Sequence, residues 1–194
     1  RTDVLNEAAI FLLETIVGLF SLALLLRFYL QLVRAPYHNP VSRFLCALTD
    51  FAVVPARRVV PGLWGMDLAS LVLAWLCEVL LLFALLALRG MEADAATGTV
   101  IVAILVLAAV KIVKMSIYIL MVAVIVQAIL SWVNPRSPVG PLLNSLTQPF
   151  LRPLQKRIPT LADVDLSPLV LIIALQLILM LPVRWLETNV TRLF

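Results

Sequence analysis

Long uninterrupted apolar runs dominate the chain, and strict alternation of apolar and polar positions is rare. Crossing a bilayer takes about 20 apolar residues. Four segments are long enough: residues 12–33, 68–88, 114–133 and 166–186. We expect helices in all four, because a helix satisfies its own backbone hydrogen bonds in lipid. The pattern predicts an all-α, polytopic membrane protein with four transmembrane helices.

A fifth apolar run, residues 100–110, lies directly before the third predicted span. A helix over residues 97–133 would be about 55 Å long, whereas the hydrocarbon core is about 30 Å thick. Two interpretations stay open: the third helix projects beyond the bilayer, or residues 100–110 form a separate interfacial or re-entrant segment. Lys111 and Lys114 would mark the break, since both side chains could extend to an interface there.

The composition agrees with a membrane protein. Of 194 residues, 63% are hydrophobic and 13% charged, against about 45–50% and about 25% in soluble domains. These values exclude a soluble globule and a disordered chain. We attribute the net charge of +4 to membrane topology and headgroup contacts, because no nucleic-acid-binding motif accompanies it.

The two longer connections between the predicted spans are basic. Residues 34–67 and 134–165 hold eight of the fifteen Lys and Arg residues, whereas residues 89–99 are short and near neutral. With four spans, both basic connections lie on one side of the membrane. The positive-inside rule therefore predicts that these loops are cytoplasmic and that both termini lie outside.

The two halves of the chain repeat each other. With an offset of 98, residues 40–73 align with residues 138–171 without a gap, and 13 of 34 positions are identical. The identities include three prolines and an aspartate, which are rarer in such a chain than leucine. We divide the chain into two repeats, 1–96 and 97–194, each a span–loop–span hairpin inserted in the same direction.

Each loop begins with apolar positions at helical spacing. They are Val41, Phe44, Leu45, Leu48 and Ala52 in the first loop, and Val139, Leu142, Leu143, Leu146 and Phe150 in the second. This spacing predicts an interfacial amphipathic helix in each loop, with its apolar side toward the acyl chains. We expect Pro55 and Pro153 to end these helices, because proline lacks the backbone donor that a helix interior needs.

Basic residues follow or end each of these predicted helices: Arg57, Arg58, Arg152, Lys156 and Arg157. Two interpretations stay open for them, an anchor on anionic lipid headgroups or a docking surface for a partner protein. Asp67 and Asp165 stand directly before the second and fourth spans. Each could cap its helix by accepting backbone N–H groups, or the two could form a symmetric pair of carboxylates along an ion path.

Polar residues inside the predicted spans are functional candidates, because they are costly in lipid. They are Glu14, Glu78, Lys114, Gln127 and Gln176. Glu78 corresponds to Gln176 in the repeat, Glu14 to Lys114, and Gln127 to Arg27. We expect the halves to meet through a Glu14–Lys114 ion pair, with Glu78 facing Gln176. These groups would act as polar contacts between helices or, through Glu78, as a proton or cation path.

The sequence offers no catalytic constellation. It has one histidine, His38, and its two cysteines, Cys46 and Cys77, are far apart. No P-loop, GxSxG or HExxH motif occurs. We therefore predict no enzymatic activity and no catalytic, cofactor-binding or metal-binding residues.

The second repeat carries a series of short motifs: LSWVNP at 130–135, TQPFLRPL at 147–154, KRIP at 156–159 and DLSP at 165–168. With their counterparts in the first repeat, these motifs resemble the YggT family, also called YlmG, of the two-repeat proteobacterial type. The first repeat departs from the pattern at three places: Gln31-Leu32 replaces Ser-Trp, Phe51 replaces a proline, and Ala69-Ser70 replaces Ser-Pro.

The resemblance implies a multi-pass protein of the bacterial inner membrane with no defined biochemical activity. Relatives are linked to osmotic-stress tolerance and potassium uptake, and plastid relatives to cytochrome b assembly and nucleoid distribution. We expect a non-enzymatic accessory or scaffold subunit of a membrane assembly linked to osmotic stress or envelope homeostasis. It would contact anionic lipid and other membrane proteins or itself. The alternatives are a small potassium or proton transporter or channel component, and an assembly factor for a membrane cytochrome complex.

Overall fold

The computed structural model describes residues 2–35, 39–60, 62, 67–88, 98–134, 136–158 and 165–191. Within these ranges the regular structure is entirely helical. In chain order the elements are α1 (Thr2–Leu32), α2 (Pro40–Ala56), α3 (Leu68–Leu88), α4 (Gly98–Val133), α5 (Gly140–Gln155), α6 (Ser167–Ile178), a π-helical turn (Leu179–Val183) and α7 (Arg184–Thr191). Of the positions discussed above, His38, Pro135 and Pro159 lie outside the described residues.

Four helical segments are long and apolar enough to cross a membrane: Val4–Leu32, Leu68–Leu88, Gly98–Val133 and Ser167–Thr191. The four predicted spans are confirmed, and three of them extend beyond the predicted ends. The last segment passes through the π-helical turn, which contains Pro182. Proline removes a backbone donor and crowds the preceding turn, and a π-helical turn accommodates both effects.

The third membrane helix, α4, is continuous over 36 residues. At about 1.5 Å per residue it is about 54 Å long. Residues 100–110 therefore extend this helix, and the predicted break at Lys111 and Lys114 is wrong. Both lysines find carboxylates on neighbouring helices, Glu78 and Glu187. Because these partners neutralise the ammonium groups, the helix needs no break to bring them to water.

Helices α1 and α4 run in the same direction. At one end of α1, the Asn6 side chain donates to the Leu88 carbonyl at 2.9 Å, and at the other end Arg27 approaches Asp67. These contacts make α1 antiparallel to α3. Helices α3 and α4 are antiparallel as well. Val79, in the second half of α3, packs against Ile104 and Ala108, near the start of α4. Helix α6 packs on α4 and α5.

Helices α2 and α5 lie at the same end of the bundle. Leu45 of α2 shares a buried cluster with Leu142 and Leu146 of α5, around Leu30 and Ala35 at the end of α1. We call this the loop end. Both loop helices therefore pack against α1, and the two halves are joined there through α1 as well as by the contacts between α3 and α4.

The predicted orientation of the loop helices is wrong for four of the ten apolar positions. Leu45, Leu142, Leu143 and Leu146 are buried inside the protein, whereas Phe44, Leu48 and Phe150 remain exposed. A leucine gains from burial against any apolar surface, and the ends of the long helices supply one that spacing alone cannot reveal.

The two prolines lie within the last turns of the loop helices rather than at their ends. Helix α2 runs one residue past Pro55 to Ala56, and α5 runs two residues past Pro153 to Gln155. A proline there removes a single hydrogen bond, and its fixed φ angle is compatible with a helix. The end of each helix was therefore predicted to within two residues.

Candidate functional site

Arg27, near the loop end of α1, is the centre of a buried polar cluster. Its side chain is 7% exposed. Nη1 donates to the Thr49 hydroxyl and to Asp50 Oδ1, each at 2.7 Å, and Nε lies 3.7 Å from Asp67 Oδ2. A buried guanidinium requires compensating charge and hydrogen bonds. Arg27 therefore holds α1 to α2 and to the start of α3.

Asp67 completes this cluster, with a side chain that is 3% exposed. Arg57 donates to it through Nη2 at 2.7 Å and Nε at 3.2 Å, and the Ser70 hydroxyl donates at 2.7 Å. Burial raises the pKa of Asp67. The hydrogen bonds from Arg57 and Ser70 and the positive charges of Arg57 and Arg27 outweigh burial, so the pKa lies below its ordinary value of 3.8.

Asp165, the counterpart of Asp67, accepts the Ser167 backbone N–H at 2.9 Å and the Gln155 side-chain amide at 2.7 Å. The bond to Ser167 is a predicted type of contact, to a backbone N–H two residues on, but the N-cap residue of α6 is Leu166 and not Asp165. Burial raises the pKa of Asp165, and the hydrogen bonds from Ser167 and Gln155 lower it to a net value below the ordinary one. Asp67 instead directs its carboxylate mainly to arginine.

The same contacts occur in both halves with different chemistry. Thr49 is hydrogen-bonded to Arg27, and its counterpart Thr147 is hydrogen-bonded to Gln127. Both threonines also donate to the backbone carbonyl four residues earlier. The Arg57–Asp67 contact likewise corresponds to Gln155–Asp165. The first half uses ions where the second uses amides.

The predicted ion pair between Glu14 and Lys114 is wrong. Lys114 instead lies 3.0 Å from Glu187 Oε2 of α7, and Glu14 is exposed on α1. The predicted contact of Glu78 with Gln176 is also wrong. Helix α3 packs on α4 and not on α6 within the described residues, so Glu78 faces α4 while Gln176 is exposed.

Glu78 is 2% exposed and accepts a hydrogen bond from Lys111 Nζ at 3.2 Å. The pair joins α3 to α4 and hence the first half to the second. Sequence reasoning named Glu78 but missed its partner. An ion pair between two apolar helices depends on how each is rotated about its axis, and sequence spacing does not give that rotation.

The remaining predicted residues lie on the outside of the loop end. The exposed side chains are those of Arg58, Arg152, Lys156 and Arg157. Arg57 is also exposed, but it donates a hydrogen bond to Asp67. The partners that sequence reasoning missed are Thr49, Asp50, Ser70, Lys111 and Glu187. The identity of Thr49 and Thr147 in the repeat was the one signal pointing to them. In the described part of the chain, no three His, Cys, Asp or Glu side chains gather in a metal-binding group.

This fold and this site define an all-helical protein of the membrane class, with four helices long and apolar enough to cross a bilayer and matching polar contacts in its two halves. Residues 6–88 match the CCB3/YggT family, and residues 106–186 match it again. The chain therefore belongs to the CCB3/YggT family.

Proteins similar to this chain over most of their length occur in several bacteria. An uncharacterized protein of Pseudomonas aeruginosa is 41% identical over 93% of this chain and 90% of its own. An uncharacterized protein in the proC 3′ region of Vibrio alginolyticus is 34% identical over 86% and 88%. The uncharacterized protein YggT of Escherichia coli K12 is 32% identical over 87% and 85%. No solved structure matches this chain.

Replacing Arg57 with Gln should make stability sensitive to mild acid. In the wild type the lowered pKa of Asp67 contributes stability that is fully present above pH 3.8 and is lost as the pH falls through the lowered value. Without Arg57, its hydrogen bonds and charge no longer lower the pKa, so the pKa rises and the loss begins at a higher pH. Melting temperatures of the detergent-solubilised protein between about pH 3 and 7 measure this. Arg58→Gln is the control, and equal pH profiles for the two variants would contradict the assignment.

Breaking the Glu78–Lys111 pair should reveal coupling between α3 and α4. Lys111→Met leaves a buried carboxylate without its partner, so it should destabilise the protein more when Glu78 is present than in a Glu78→Gln background. We expect a coupling of about 1 kcal/mol, toward the upper end for polar contacts between membrane helices. A double-mutant cycle of unfolding free energies tests this, and additive effects would show that the pair contributes no coupling.

Proposed function

We propose that this protein is a non-enzymatic accessory or scaffold subunit of an assembly in the bacterial inner membrane. The observation that carries the proposal is the packing of α2 and α5 against the same end of α1. Both loop helices therefore present exposed side chains at that end of the bundle. The link to osmotic stress and envelope homeostasis rests on the resemblance to the YggT family.

The exposed surface of the loop end combines aromatic rings with basic groups. Phe44, Phe51 and Phe150 are each about half exposed or more, and the exposed cations include Arg58, Arg152, Lys156 and Arg157. Aromatic residues and arginine are enriched in protein–protein interfaces, and cations near a membrane favour its cytoplasmic leaflet. This combination supports a cytoplasmic docking surface that also contacts lipid.

Each loop helix is fastened to the membrane helix that precedes it. Arg27 bonds to Thr49 and Asp50 of α2, and Gln127 bonds to Thr147 and Asn144 of α5. A surface held in this way loses little conformational freedom when a partner binds. Preorganisation of this kind lowers the cost of association, as a scaffold requires.

Two of the three carboxylates that could form an ion path, Glu78 and Asp67, already have cationic partners. Lys111 neutralises Glu78, and Arg57 and Arg27 surround Asp67. A cation at either carboxylate would have to displace a lysine or arginine of the protein itself. This arrangement favours the scaffold over the transporter.

Reversing the exposed charges of the loop end should release the partner. We expect the wild type, purified in mild detergent, to hold a stoichiometric complex that native mass spectrometry detects. Arg58→Glu, Arg152→Glu, Lys156→Glu and Arg157→Glu together should abolish it, because an interface depends on complementary charge. The control is Glu7→Arg, which reverses the charge of an exposed residue at the end of α1 opposite to the loop end.

A wild type that purifies alone, or a complex that survives all four reversals, would overturn the scaffold proposal. Ion flux into proteoliposomes distinguishes the alternative. A flux that is present in the wild type and lost in Glu78→Gln would favour a transporter, and the scaffold proposal predicts no flux in either.

A further inference from the structure

Two cavities occupy corresponding places in the two halves, each between a membrane helix and the loop helix that follows it. The first has a volume of about 220 Å³ and is lined by Arg27, Leu30, Gln31, Ser42, Leu45 and Cys46, with Arg57 beside them. The second has a volume of about 420 Å³, and its lining includes Gln127, Leu130, Ser131, Gly140, Leu143 and Asn144. Each residue of the second set is the repeat counterpart of one in the first.

The recurrence of this cavity indicates a preserved feature rather than a packing defect. Both cavities are clefts open to the surface, so the evidence for a preserved feature is their matching position and not their size. Here the six aligned positions differ in most side chains and still leave a cavity in the same place. The chemistry differs: guanidinium groups line the first cavity, whereas the lining of the second is uncharged.

We propose that the first cavity binds the phosphate of an anionic phospholipid headgroup. Arginine is the residue best suited to phosphate, because its planar guanidinium offers five N–H donors. The hydrogen bonds of Arg27 within the described residues all leave from Nη1, and Nε is buried beside Asp67, so a ligand would bind Arg27 through Nη2. The amide of Gln31 and the hydroxyl of Ser42 lie on the same wall.

The charge of the surrounding segment favours an anion. Residues 27–67 contain five arginines and two aspartates, a net charge of +3, while the two arginines at the cavity itself are paired with Asp50 and Asp67. One of those aspartates, Asp50, has a side chain that is 51% exposed and lies beside Arg27. Asp50 therefore competes with an incoming phosphate, and its counterpart in the second half is the neutral Gln148.

The position of the cavity favours a lipid over free phosphate. Arg27 belongs to a membrane-spanning helix, and Leu30 and Leu45 form the apolar wall of the cavity. Phe44 and Leu48, on the exposed side of α2, offer an apolar surface for acyl chains outside it. A phospholipid can place its phosphate in the cavity and its chains along α2, whereas free phosphate gains nothing from that surface.

The test uses the full chain, delipidated in a neutral detergent and titrated with dioctanoyl phosphatidylglycerol, dioctanoyl phosphatidylcholine or inorganic phosphate. Native mass spectrometry measures binding, and melting temperature reports folding. Cys46→Phe fills the first cavity without removing a member of the ion network, and should weaken phosphatidylglycerol binding by about tenfold or more, since the phosphate loses its charged hydrogen bonds. Asn144→Phe, the same change in the second cavity, should leave it unchanged.

Asp50→Asn should strengthen phosphatidylglycerol binding several-fold, because it removes the competing carboxylate. This variant decides the matter should Cys46→Phe fail to fold. Equal retention of phosphatidylcholine, wild-type binding by Cys46→Phe, or no gain with Asp50→Asn would each overturn the proposal. Displacement of the lipid by an equal concentration of inorganic phosphate would assign the site to a free anion and overturn the lipid assignment.

Discussion

A charge buried among membrane helices must find its partner within the protein, and this constraint fixes the geometry of the loop end. Arg27 sits near the end of an apolar helix with almost no exposure to solvent. Its charge is balanced by carboxylates from two other elements, Asp50 on α2 and Asp67 before α3. Leaving such a group unpaired would cost several kcal/mol. The position of α2 therefore follows from Arg27 as much as from apolar packing.

In the second half, the contact between the membrane helix and its loop helix forms without charged side chains. Gln127 and Thr147 join α4 to α5 where Arg27 and Thr49 join α1 to α2. The fastening of the loop helix therefore does not require ions. The ions of the first half are an addition to a shared framework, and they lie beside a cavity that the second half also has. This asymmetry suits a protein in which only one half handles an anionic group.

Sequence patterns predicted the spans and loop helices because long apolar runs and helical spacing depend on neighbouring residues alone. They failed where distant elements meet. The partners of Lys111 and Lys114 depend on the rotation of α3 and on the continuation of the last segment to Glu187, one residue beyond the predicted span. The burial of Leu142 and Leu146 likewise depends on the proximity of α5 to the end of α1. Of the candidate site, the repeat identified the aspartates and the Arg27–Gln127 correspondence, but not the side chains that bind them.

In the proposed topology, both halves insert in the same direction and bring their basic loop helices to one face of the membrane. Single cysteines at Arg58 and at Lys156, in a chain with Cys46→Ala and Cys77→Ala, allow this to be measured with a membrane-impermeant thiol reagent. This topology predicts that both cysteines react in inside-out vesicles and that neither reacts in intact cells. Labelling of the two positions from opposite sides of the membrane would contradict it.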